Sequence, residues 1–161
     1  MSTLAFSRTL AIAAVLWAAA LIVAAFIAGQ SEVGPIAYLF SAAIYEVGSL
    51  VCHQRPERSF HFWGAQSAVC ARCAGIYLGA GVAAVAAVSM RGGGDRDPVM
   101  KDVRRAVLFA ALPTALTLIY EWTTAQMPGN WTRAAAGFPL GAIVVWILMA
   151  TTAASSAVEV H

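Results

Sequence analysis

Apolar residues in this chain fall into long blocks separated by short polar breaks, and the blocks have helical length. Thr9 to Ala28 holds no charged residue and as a helix would run about 30 Å, enough to cross the hydrocarbon core of a bilayer. A cleaved signal peptide would have a shorter apolar core ending in a small-x-small site. Phe26 stands where a small residue would be needed before Ala28, so residues 9–28 are expected to be an uncleaved membrane anchor.

Gly29, Gly34 and Pro35 punctuate the next stretch, and Pro35 suits the first turn of a second helix. That helix, 36–51, is apolar but short. Tyr38, Ser41, Tyr45 and Ser49 recur at helical spacing as a polar stripe, joined by Glu46. The stripe predicts a helix lying in the interface or against the bundle, with a short fifth span as the alternative. Residues 52–64 read as a loop, because Pro56 removes a donor and biases Arg55 away from helix. Helices are expected over 66–90, 106–122 and 134–154. Between them lie a polar connector from Arg91 to Arg105 and a turn at 126–131 with Pro128, Gly129 and Asn130. Pro113 is expected to kink or loosen its helix. Gly75 with Gly79, and Gly137 with Gly141, stand four apart, spacing that lets membrane helices approach closely.

Composition agrees with this pattern. The chain is 60% hydrophobic and 11% charged, with a mean hydropathy of +0.74, against roughly 25% charged residues in a soluble domain. One all-α, polytopic membrane bundle of four to five helices, filling residues 1–161, is the predicted fold. A net charge of +2, without a basic stripe or aromatic-interleaved motif, argues against nucleic acid. No GxxxxGK[ST] or HExxH occurs.

With four spans, Arg8, Arg91, Arg96, Lys101, Arg104 and Arg105 share one side, and Arg55, Arg58, Arg72 and Arg133 the other. The more basic side should be cytoplasmic, which turns the 52–64 loop outward. With five spans the two sides balance. A multi-pass protein of the bacterial inner (cytoplasmic) membrane is expected.

The candidate chemistry concentrates between Val51 and Gly79. Every cysteine (Cys52, Cys70, Cys73) and every histidine except His161 (His53, His61) lies there. Three thiols and an imidazole suit a Cys3His zinc site, or another thiophilic transition metal. His53 adjoins Cys52, and neighbouring side chains rarely turn to one ion; His61 has more freedom to reach. Two other readings stay open. Cys70 near a helix start, beside Arg72, would be a stabilised thiolate with Cys73 as resolving thiol and Cys52 as third partner. The cysteines could equally form a structural disulfide or remain buried thiols. Ala74 after Cys73 excludes a c-type haem motif.

Arg72, Glu121 and Arg133 fall on the same membrane face as the cysteines whichever span count holds. Charges at membrane depth are costly and are usually paired or functional. Glu121 and Arg133 read as a hairpin ion pair, with Arg72 extending to the headgroups. Alternatively Arg58, Arg72, Glu121, Asn130 and Arg133 wall a charged ligand pocket.

C-H-Q-x-x-x-x-R-S-F, then V-C-A-R-C-x-G-I-Y-x-G, resembles the small bacterial and archaeal membrane proteins grouped as domain of unknown function 2085. N-x-x-R-x-x-x-G-x-x-x-G over Asn130–Gly141 is similar to that family's second signature. The resemblance runs from about Tyr45 to Gly141 and takes in Cys52, His53, Gln54, Arg58, Ser59, Phe60, Cys70, Arg72, Cys73, Gly75, Tyr77, Gly79, Asn130, Arg133, Gly137 and Gly141. Glu121 replaces the family's Asp, Ala74 replaces a common Thr, and His61 matches no family position. The resemblance implies membrane location and site identity, with no activity attached. The expected function is therefore a Cys/His metal site at one membrane face. The alternatives are a membrane thiol oxidoreductase served by a quinone or protein dithiol, and a small helical subunit or lipid-binding module. A second copy of the chain is a further partner class.

Overall fold

A computed structural model describes residues 3–90 and 102–158, with side chains for 5–90 and 102–151. Arg91, Arg96, Lys101 and His161 lie outside the described residues. The elements are α1 (Thr3–Ala28), α2 (Pro35–Val51), a 3-10 turn (Pro56–Arg58), β1 (Ser59–Phe62), β2 (Ala65–Cys70), α3 (Ala71–Ser89), α4 (Val103–Thr124) and α5 (Asn130–Val158). The fold is mainly α-helical. Among the described residues, four helices are long and apolar enough to cross a membrane, within Ala5–Ala28, Ala71–Ser89, Val103–Thr124 and Asn130–Thr151.

The bundle packs through small residues. Ala24, Ala25, Ala71, Ala84, Ala87 and Ala136 are buried, while Ile12, Leu16, Leu108, Phe109 and Leu116 are exposed. This is the arrangement expected in lipid, where burying large apolar groups against protein gains little and close backbone approach favours helix association. It is tightest between α3 and α5. A Cβ at Gly75 would overlap the Ala134 carbonyl, one at Gly79 the Phe138 carbonyl, and one at Gly141 the Ile76 carbonyl. The matching order of contacts makes α3 and α5 parallel. Pro113 lies within α4 and Pro139 within α5. Near the first of these, Thr114 Oγ1 donates across the interface to Ala136 O at 2.7 Å.

Helix α2, 17 residues long, falls short of the roughly 20 needed to span. Ser41 and Tyr45 of its polar stripe turn toward protein, while Tyr38, Glu46 and Ser49 are exposed. Ser41 Oγ donates to Ala24 O of α1 at 3.0 Å, and Tyr45 Oη donates to Gln66 O of β2.

The expected helix from Gln66 is corrected. Residues 65–70 form a strand, and α3 starts only at Ala71. Residues 52–64, expected as plain loop, contain the 3-10 turn and β1. The two strands pair antiparallel, with His61 opposite Gln66 and Phe62 opposite Ala65. Trp63 and Gly64, both at positive φ, close the hairpin as a two-residue turn whose twist suits the strands. The Phe60–Phe62 run before Trp63-Gly64 was the available signal. A short run such as Ala65–Cys70 is ambiguous in period, and burial of Ala68 and Val69 against Leu21 resolves it in favour of strand. The turn expected at 126–131 is also shorter, because α5 begins at Asn130.

Candidate functional site

The hairpin brings the two ends of the cysteine motif together. Cys52 caps the C-terminus of α2, its N–H donating to Gly48 O. Cys70 is the N-cap of α3, and Cys73 follows within the first turn. The three Sγ atoms all lie within 4.8 Å of one another, and all three cysteines are free. The backbone N–H of Cys70 donates to Cys52 Sγ at 3.1 Å.

At Cys70 the Cys73 thiol hydrogen-bonds to the sulfur. Burial works against ionisation, but backbone N–H groups of Cys73 and Arg72 join Cys73 in favouring the thiolate. Together they pull the Cys70 pKa from 9.0 down to about 5. A helix start is where such stabilisation is expected.

An amide frame holds this geometry. Gln54, in the left-handed region at φ 46°, donates through Nε2 to Tyr45 O at 2.7 Å and Ala68 O at 2.8 Å. Gln66 Nε2 donates in return to Gln54 O. A Cβ at Gly48 would strike the Ala68 carbonyl, so the glycine lets α2 lie directly on β2. Sequence reasoning overlooked this role of Gln54, Gln66 and Gly48. Gln54 stood inside the family motif, but nothing in its surroundings indicated what its amide would meet.

A cavity of about 370 Å³ opens beside the thiols, lined by Cys52, His53, Gln54, Arg55, Arg58, Cys70 and Cys73 among others. His53 is exposed and lines this cavity, but it is not part of the close cluster that the three sulfurs form. His61 is exposed on β1 and is not among the lining residues.

The charged residues converge as well, beyond the expected hairpin pair. Glu121 near the end of α4 accepts from Arg72 Nη2 at 2.9 Å and from Arg133 Nε at 3.1 Å, both on Oε1. Arg58 Nη2 stands 3.7 Å from Oε2. Glu121 and Arg133 are buried. Asn130 does not join this group; its Nδ2 donates to Ser59 O at 2.8 Å and ties the start of α5 to the hairpin. Phe60 against Trp131, with ring centroids 4.9 Å apart, reinforces that tie.

Fold and site together define a polytopic α-helical membrane protein with a three-cysteine centre and an arginine–glutamate cluster beneath a β-hairpin. The family described as predicted membrane protein, DUF2085, is matched over residues 52–147, and the chain belongs to it. Over 39 residues it is 59% identical to an uncharacterized protein of Methanocaldococcus jannaschii, covering 24% of this chain and 25% of that one. Over 30 residues it is 60% identical to an uncharacterized protein of Methanothermobacter thermautotrophicus, covering 19% and 27% respectively. The matches thus span about a quarter of the length of these relatives. No solved structure matches the chain.

Proposed function

We propose that Cys52, Cys70 and Cys73 together bind one thiophilic transition-metal ion, zinc foremost, in the cytoplasmic membrane. The observation that carries this is the approach of three Sγ atoms to within 4.8 Å of one another. Ligands about 2.3 Å from a tetrahedral zinc stand about 3.8 Å apart, so a small contraction would close the site. The depressed pKa of Cys70 lowers the cost of deprotonating that one thiol, while the Cys73 proton that hydrogen-bonds to it must still leave when the metal binds. His53, on the shared cavity, is the fourth ligand in this reading. Purified without chelator, the protein should carry about one metal ion per chain. Cys52→Ser, Cys70→Ser and Cys73→Ser should each lose most of it. Metal-free wild type would overturn the reading.

The low pKa of Cys70 also supports a second reading, thiol–disulfide exchange. Cys70 and Cys73 would close to a disulfide, passing two electrons and two protons to a quinone or a protein disulfide. Metal-free protein that cycles reversibly between two free thiols and none at this pair would favour it.

A further inference from the structure

Glu121 carries one negative charge, and the three guanidiniums on it carry three positive ones. Arginine keeps its charge under all ordinary conditions, so the cluster holds an excess of two positive charges. Arg133 is 2% exposed. Its Nη1 and Nη2 have no acceptor among the described residues, and neither do the buried Nε atoms of Arg58 and Arg72. Buried charged donors without acceptors are costly. One carboxylate, already shared through Oε1, cannot supply them all.

We propose that this cluster binds a small oxyanion of the phosphate type through Arg58, Arg72 and Arg133, with Glu121 holding the guanidiniums in position. A tetrahedral oxyanion offers several acceptor oxygens, and the planar guanidinium fork matches them. The anion neutralises the excess charge and gives the stranded donors acceptors. Arg58 admits it. Its side chain is 35% exposed, its 3.7 Å approach to Glu121 is too long for a hydrogen bond, and it alone of the three lines the cavity beside the thiols. The same chemistry is offered by free phosphate and by a phospholipid headgroup. The proposal does not depend on metal at the cysteines.

The test is thermal melting of delipidated protein in neutral detergent, titrated with inorganic phosphate against sodium chloride of equal ionic strength. In parallel, melts are compared in nanodiscs of phosphatidylglycerol and of the phosphate-free lipid digalactosyldiacylglycerol. Stabilisation by phosphate in detergent identifies the free anion, and stabilisation by phosphatidylglycerol alone identifies the headgroup; either supports the proposal. Arg58→Gln should weaken the apparent affinity by about tenfold or more, the loss expected of a charge-assisted hydrogen bond. Arg58→Lys, which keeps the charge but not the fork, should fall between and serves if Arg58→Gln fails to fold. Protein stripped of metal and dialysed should respond as the untreated protein does. No stabilisation by either source, equal stabilisation in the Arg58 variants, or a response lost with the metal would overturn the proposal.

Discussion

Arg72 Nη2 and Glu121 Oε1 meet at 2.9 Å across 49 residues of sequence. Arg72 stands between Cys70 and Cys73, so the salt bridge joins the first turn of α3, where the thiols are set, to the end of α4. Arg133 comes to the same oxygen at 3.1 Å from the first turn of α5. One carboxylate therefore organises three elements.

Glu121→Gln should be strongly destabilising. Removing one partner of a buried ion pair costs about 3–5 kcal/mol, and here three guanidiniums lose the same partner. Glu121→Asp keeps the charge at shorter reach and should cost less. Thermal melts of both variants in detergent measure the difference. Equal, near-zero losses would mean that the cluster is solvated and contributes little.

The two histidines should separate. His53→Ala is expected to weaken metal retention by about tenfold or more, in keeping with loss of one of four ligands, while His61→Ala retains it. Chelation of wild type should lower the melting temperature, because a ligand that binds only the folded state adds to its stability. Metal analysis after gel filtration reads the first effect, and a melt with and without chelator the second. Loss of metal on His61→Ala alone would reverse the assignment.

Among the glycines, Gly141→Ala and Gly75→Ala should each destabilise by about 1–3 kcal/mol, the usual cost of overpacking. Their new Cβ atoms would meet the Ile76 and Ala134 carbonyls, which are backbone and cannot swing away. Gly81→Ala is the control. Its Cβ would find only Ala14 O at an ordinary 3.8 Å, and alanine is the better helix former. Equal behaviour of all three would show that α3 and α5 do not pack this closely.

Orientation can be read by labelling. The balance of basic residues predicts a cytoplasmic 91–105 connector. A cysteine introduced at Gly93 should then resist a membrane-impermeant thiol reagent in intact cells. One introduced at Gly129, exposed in the turn before α5 with open space around it, should react. The unmodified protein supplies the background from Cys52, Cys70 and Cys73. The opposite labelling pattern would turn the cysteine face inward.

Much of this molecule was present in one dimension. The length of an uncharged apolar run is a local property, and a bilayer core demands about 20 such residues; runs such as Thr9–Ala28 therefore identified helices capable of crossing. Helix parity then put Cys52, Arg72, Glu121 and Arg133 at one face without any contact being known. The Gly75–Gly79 and Gly137–Gly141 spacings likewise marked the two helices that approach most closely. Other features depended on which distant groups share space. Ala65–Cys70 is a strand because β1 and Leu21 lie beside it, and its own six residues do not favour strand over helix. His53 lines the cavity beside the thiols and His61 does not, because the hairpin carries His61 to a position opposite Gln66. Arg58 reaches Glu121 because the hairpin is fastened to α5 through Asn130 and Ser59. These are long-range hydrogen bonds and ion pairs between groups of ordinary type. Residue identity supplies the donors and acceptors, and only packing determines which of them meet.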